Sequence, residues 1–195
     1  MLKRDNTINS LKNNIIEDHS DIKIQELPFV TKINLRGNPN DKYFISITGE
    51  LLSSVLPIEP NTYTNNGKIK IIWLSPDEWL IVDENQNDKE DLLSKLQNVI
   101  NKIEVSVTDV SENRTIIRIS GDNLFILLSK FLVLDLDNNL TNQSSVAQTL
   151  FVKVPVLLVN TSDNNQKPQI DIFTNRSHAN YIYKMLVDGT INLDF

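Results

Sequence analysis

Cysteine is absent from the sequence. That excludes disulfides, thiolate nucleophiles and any cysteine-ligated zinc or iron–sulfur centre within this chain. Glycine is scarce, five in 195 residues, and neither a G-x-G-x-x-G nor a P-loop pattern occurs, so no dinucleotide or phosphate cradle of the usual kind is expected. There are two histidines. His19 lies in a polar stretch among acids and His178 at the start of the last expected helix, and neither has a partner at H-x-x-x-H spacing, so metal binding and base catalysis are not expected of them. Basic residues are outnumbered, 19 Lys and Arg against 25 Asp and Glu, and the formal net charge of −6 argues against a general nucleic-acid binder. No segment approaches the roughly 20 apolar residues of a membrane helix. No apolar run follows the first residues, so a secretory leader is not expected and a cytoplasmic location is.

The composition that remains, 40% hydrophobic and 23% charged, belongs to a globular chain. Its organising stretch runs from Asp109 to Leu136. Ile117 and Ile119 alternate with Arg118 and Ser120 as in a half-buried strand, Gly121 turns, Ser120 or Asp122 offers a cap, and Leu124, Leu127, Leu128 and Phe131 form a helical stripe. Around it, residues 1–20 carry few large apolar side chains and read as a loose segment, with 21–195 as one compact α+β unit. Strands are expected at Ile22–Leu27, Val30–Arg36, Tyr43–Ile47, Gly67–Leu74 and Trp79–Val82. Leu51–Leu56 suits a short helix and Asp88 opens a longer one, on which Leu92, Leu96, Val99 and Ile103 share a face. Glu104–Val110 and Thr115–Ile119 suggest a hairpin, Asn138–Ser145 a polar loop, and Val146–Val152, Val154–Asn160 and Ile170–Thr174 further strands, before a helix capped by Ser177. Strand pairs punctuated by single helices favour antiparallel sheets with ferredoxin-like ββα units over a doubly wound parallel sheet.

The acids form no readable catalytic pair; Asp109 and Asp135 suit turn and cap hydrogen bonding. Trp73 and Trp79 bracket a Ser-Pro-Asp-Glu turn, where packing in the core competes with service as an anchor for a partner protein. Arginines beside turns and helix starts suit interface or anion contacts. The residues singled out for a partner interface are Arg36, Trp79, Arg114 and Arg176. No catalytic, cofactor-binding or metal-binding residue is assigned.

Several blocks resemble the gamma-subunit family of heterotetrameric sarcosine oxidase. They are Asp109-Val110-Ser111, Arg114-Thr115, Ile119-Ser120-Gly121, Leu127 to Lys130 and Leu134-Asp135-Leu136, together with Leu35-Arg36-Gly37, Leu56-Pro57, Pro60-Asn61-Thr62, Trp73 to Leu80, Ala147-Gln148-Thr149, Val154 to Leu158 and Arg176-Ser177. The Trp73 to Leu80 and Asp109 to Gly121 blocks are the most specific. A glycine expected between Leu136 and Ala147 is missing, and His178 stands where an aromatic residue is expected. More distantly, the same stretch is similar to the folate-binding fold of the glycine-cleavage T-protein. The resemblance implies a T-protein-like fold and a structural subunit, without catalytic residues of its own, in a complex that demethylates sarcosine to glycine. It also implies alpha, beta and delta partners, alpha most directly. FAD, FMN, NAD, zinc and tetrahydrofolate are then expected on those partners and none on this chain. Two alternatives stay open: the equivalent subunit of a related N-methyl amino acid dehydrogenase complex, and a free-standing folate-binding aminomethyltransferase-like protein. Against the second, Val154 to Val159 offers no carboxylate where a T-protein-like site needs one.

Overall fold

The computed structural model describes residues 7–8, 17–19, 21–84, 89–100, 105–140, 145–163, 167–191 and 193. Strands β1 (Glu17–His19), β2 (Ile22–Glu26) and β3 (Thr31–Arg36) precede helix α1 (Lys42–Leu52). Then come β4 (Tyr63–Asn65), β5 (Ile69–Ser75), β6 (Glu78–Asp83) and α2 (Lys89–Ile100). The second half holds β7 (Ser106–Asp109), β8 (Arg114–Gly121), α3 (Leu124–Ser129), α4 (Leu136–Asn139), β9 (Val146–Phe151), β10 (Val154–Asn160), β11 (Gln169–Asn175) and α5 (Arg176–Gly189).

Contacts divide the chain into two compact units, Met1–Phe29 with Asn113–Phe195, and Val30–Glu112. The first holds a six-stranded sheet in the order β1-β2-β8-β11-β10-β9 and the second a five-stranded sheet, β4-β5-β6-β3-β7. Every pairing between these strands is antiparallel, so the α+β class read from the strand pairs stands. Each unit closes its own apolar cluster. In the first, Ile117, Ile119, Ile170 and Ile172 meet Leu124, Leu127 and Leu128 of α3 and Ile182 and Leu186 of α5. In the second, Ile33, Leu35, Ile71, Trp79 and Ile81 meet Phe44 and Leu52 of α1 and Leu92 and Leu96 of α2. The expected single unit over 21–195 is corrected here. The chain crosses between units at Phe29–Val30, in an irregular stretch, and at Glu112–Asn113, in a turn, and neither leaves a compositional mark.

Most of the segment 1–20 lies outside the described residues. Where it is described it is held rather than loose. β1 pairs with β2, and the Thr7 and Ile8 N–H groups donate to the Glu26 carboxylate at 2.9 and 2.8 Å.

Two elements differ from expectation. Residues Tyr43–Ile47 belong to α1, not to a strand. Asp41 caps that helix by accepting from the Tyr43 and Phe44 N–H groups, and Phe44, Thr48 and Leu52 are buried at four-residue spacing, so packing and a cap override β-prone side chains. The expected hairpin between Glu104–Val110 and Thr115–Ile119 does not form: β7 pairs with β3 in one sheet, while β8 pairs with β2 and β11 in the other. Smaller differences concern caps. Asn123 precedes α3 and Asn175 precedes α5, neither with a side-chain cap bond, so Ser120, Asp122 and Ser177 do not fill that role. Asp135 does cap α4, whose last two residues enter the stretch expected as a polar loop, and Asp109 accepts the Ser111 N–H as a turn former.

Candidate functional site

The four residues expected at a partner interface fall in different places. Arg36, at the end of β3, is exposed; its Nη2 lies 2.8 Å from Glu78 Oε2, while Asn34 donates to the other oxygen of the same carboxylate at 2.7 Å. Trp79 is corrected. It is fully buried in the second unit, 5.8 Å from the Phe44 ring, and its indole N–H donates to the Pro57 carbonyl at 2.7 Å, so it has no surface with which to anchor a partner. Trp73, opposite it in the β5–β6 register, is half-buried. Arg114 and Arg176 do come together, because Arg114 opens β8 directly across from Asn175, the last residue of β11, and the Arg176 N–H donates to the Asn113 carbonyl at 3.0 Å.

Beside Arg114 the first unit has a concavity of about 380 Å³, lined among others by Gln148, Leu150, Pro155, Phe173 and Asn175. Strand alternation puts these side chains on one sheet face: Leu150 opposes Pro155, Gln148 opposes Leu157, and Leu157 opposes Phe173. That is the face opposite Ile117, Ile119, Ile170 and Ile172, which turn into the helix-covered cluster. Phe173 and Leu157, both buried, lie beneath it, and Arg114, Gln148 and Asn175 border it.

Buried charge is where reading of the residues fell short. Asp171, 1% exposed, is held by Arg118 through a two-pronged contact, Nε to Oδ1 at 2.7 Å and Nη2 to Oδ2 at 2.9 Å. The two lie directly opposite each other on β11 and β8. Lys32 is 2% exposed and its ammonium donates to the Val30 carbonyl at 2.9 Å. Lys70, 3% exposed, lies 3.5 Å from Glu84 and 5.7 Å over the Tyr63 ring. Each is an alternating polar position in an apolar strand, and alternation alone assigns such positions to solvent. Among the described residues no group of three or more His, Cys, Asp or Glu is placed to hold a metal ion. No described helix is long and apolar enough to cross a membrane.

Among the described residues, two groups of exposed apolar side chains lie close together in the chain or across a bridge, besides the separate Tyr43, Ile126, Tyr181 and Ile191. Val55 and Ile58 stand out on the loop after α1 in the second unit. In the first unit Leu150, Val152 and the fully exposed Val133 are neighbours. Leu132 bridges to Phe151, the Val152 N–H donates to the Phe131 carbonyl at 2.9 Å, and the Phe131 and Phe151 rings stack at 4.8 Å.

A family model described as "Sarcosine oxidase, gamma subunit family" matches residues 36–192. The sarcosine oxidase subunit gamma of Corynebacterium sp. (strain P-1) is 23% identical over 145 residues, covering 74% of this chain and 70% of that protein. Its counterpart from Corynebacterium sp. (strain U-96) is 22% identical over 168 residues, covering 86% and 78%. Among solved structures, a chain of the heterotetrameric sarcosine oxidase from Corynebacterium sp. U-96 in complex with pyrrole 2-carboxylate superposes with a TM-score of 0.83 at 22% identity, over 96% of this chain and 94% of that one. The glycine cleavage system aminomethyltransferase T from Bartonella henselae superposes with a TM-score of 0.61 at 14% identity, over 87% of this chain and 46% of that one. Both likenesses concern the fold, and together they bear out the T-protein-like α+β architecture.

Proposed function

The chain belongs to the sarcosine oxidase gamma subunit family, and we propose that it is a non-catalytic, structural subunit of a heterotetrameric complex that oxidatively demethylates sarcosine to glycine. The observation that carries this reading is the extent of the family match: residues 36–192 run through both compact units rather than through one motif. In this reading alpha is the subunit it packs against, with beta and delta completing the complex. FAD, FMN, NAD, zinc and tetrahydrofolate are then held by those partners.

The residues present do not fit a folate site of T-protein type. Neither β9, Val-Ala-Gln-Thr-Leu-Phe, nor β10, Val-Pro-Val-Leu-Leu-Val-Asn, carries an acid. The buried carboxylate next to them, Asp171, has both oxygens on Arg118. A carboxylate tied to a guanidinium in this way is a structural group, not one waiting for a substrate nitrogen.

Co-expression with the genes that neighbour it tests the reading. The expected result is a flavin-coloured complex containing this chain that produces hydrogen peroxide from sarcosine, whereas the isolated chain is colourless and inactive. A chain that remains alone, or that transfers a one-carbon unit to tetrahydrofolate unaided, overturns it. A complex active on another N-methyl amino acid but not on sarcosine overturns the substrate while keeping the subunit role.

A further inference from the structure

We propose that Asn66 is a latent site of spontaneous deamidation, held off while the second unit is closed, and that the carboxylate it yields loosens the end of α1. The inference is independent of the subunit reading above.

Sequence supplies the reacting pair. Of the five glycines, Gly67 alone follows an asparagine. In the reaction the Gly67 nitrogen gives its proton to solvent and bonds to Asn66 Cγ, while the Cγ–Nδ2 bond breaks and Nδ2 leaves as ammonia. Water then opens the five-membered imide at either carbonyl, leaving aspartate or its β-linked isomer. No electrons are exchanged, and water is the one co-reactant. Glycine favours the step because it sets no Cβ beside the attacking nitrogen and leaves the backbone free to turn. Asn65, Asn66 and Gly67 are all exposed on the loop between β4 and β5, so water and base reach them.

The folded loop occupies each group that the reaction needs. Asn66 Nδ2 donates to the Leu52 and Ser53 carbonyls at 3.0 and 3.2 Å, and Asn66 Oδ1 accepts the Lys68 and Ile69 N–H groups at 3.0 and 2.8 Å. The Gly67 N–H, on the attacking nitrogen itself, donates to Asn65 Oδ1 at 2.9 Å, and the Asn66 N–H donates to the Ile69 carbonyl at 3.2 Å. Bringing Cγ onto the Gly67 nitrogen means giving up several of these bonds together. Conversion therefore follows the population of the opened loop, not the exposure of the side chain.

The same carboxamide closes a helix. α1 ends at Leu52, Ser53 follows at φ 50°, and the last turn carries no basic residue. The final carbonyls of a helix have no partners within it and form its negative pole. Asn66 supplies N–H donors to two carbonyls at that end from across the loop. A carboxylate at residue 66 keeps an oxygen for Lys68 and Ile69, but it has no N–H to offer the helix and brings a negative charge to its negative pole. The loss falls on the tie between the β4–β5 loop and α1, so a chain that has reacted cannot close again as before.

The test uses the full chain. Wild-type protein is held in mildly alkaline buffer with and without denaturing guanidinium, and conversion at residue 66 is followed by peptide mass spectrometry. Conversion is expected to run at least about tenfold slower in the folded chain, the ratio that even a weak local opening sets. Equal rates overturn the proposal. Asn66→Asp, which installs the product, is compared with Asn65→Asp, which adds the same charge one residue earlier, where the side-chain oxygen serves Gly67 and not α1. Tryptophan fluorescence reports on the second unit, since Trp73 and Trp79 both lie in it. A urea midpoint lowered by roughly 0.5 M or more is expected for Asn66→Asp, with Asn65→Asp at the wild-type value. A wild-type midpoint for Asn66→Asp, or an equal loss in both variants, overturns the proposal. If Asn66→Asp does not fold, the rate comparison, made on wild-type chain alone, still decides.

Discussion

Trp79 was expected both as a core residue and as a partner anchor, and replacement by phenylalanine separates the two. The side chain is fully buried among Ile33, Leu35, Phe44 and Ile81. Phenylalanine keeps an aromatic ring beside Phe44 but removes the N–H that satisfies the buried Pro57 carbonyl. Leaving that acceptor unpaired costs about 1–3 kcal/mol. The volume lost from a closed core adds about 1–2 kcal/mol on the scale of large-to-small substitutions. A total of about 3 kcal/mol is expected, and with a urea slope of about 2–3 kcal/mol/M the midpoint of the second unit falls by about 1–1.5 M. Both tryptophans lie in that unit, so the fluorescence of the remaining Trp73 follows its unfolding alone. Binding to the partner subunits, measured well below the transition, is expected to match wild type. A variant with an unchanged midpoint but lost association would refute the assignment to the core and restore the anchor.

Other positions test the first unit. Gly121→Ala places a Cβ 1.8 Å from the Asp21 carbonyl oxygen at φ +139°, so a loss of at least about 3 kcal/mol is expected in the thermal unfolding of the chain, and a wild-type melting temperature would contradict the close approach of β2 and β8. Arg118→Leu strands the buried Asp171 carboxylate and should destabilise by about 3 kcal/mol, while the double variant with Asp171→Leu recovers most of the loss; equal instability of both would show that the ion pair is not the cause. Glu26→Ala removes the acceptor for the Thr7 and Ile8 N–H groups and for the Thr115 hydroxyl, so limited proteolysis ahead of residue 17 should run several-fold faster, and unchanged cleavage would remove Glu26 as the clamp.

The strands were legible because their alternation survives in the fold: Ile117 and Ile119 do turn inward, and Ile170–Thr174 sits within β11. What escaped depended on partners that a single chain does not declare. Tyr43 to Ile47 is β-prone, and only the Asp41 cap and the burial of Phe44, Thr48 and Leu52 on one helix face decide for α1. Glu104–Val110 and Thr115–Ile119 lie close in sequence with a turn between them, the local picture of a hairpin. The structure instead gives β7 to β3, with the Val110 N–H on the Lys32 carbonyl, and β8 to β11, with the Arg176 N–H on the Asn113 carbonyl. Register explains Asp171 as well. The residue reads as a polar position on a half-exposed strand until Arg118 is known to face it. Of the candidate interface residues, Arg114 and Arg176 share one sheet end, whereas the exposed apolar group at Val133 and Val152 had no sequence signal, since an isolated valine in a turn resembles any other.

The blocks that carried the family resemblance have structural work in the fold. Asp109-Val110-Ser111 is a clasp: the Ser111 hydroxyl accepts the Lys32 N–H at 2.9 Å and lies 2.5 Å from Asp109 Oδ1, closing β7 onto β3 where the chain leaves the second unit. Thr115 then donates to Glu26, and Gly121 admits the Asp21 carbonyl where no Cβ fits. In the Trp73 to Leu80 block, Ser75 donates to Asp77 within the turn, the Asp77 carbonyl accepts the Gly37 N–H, and Glu78 gathers Asn34 and Arg36. These blocks place strand ends, turns and a buried ring, so the residues that carry the resemblance are the ones that fix strand register and turn geometry within each of the two units.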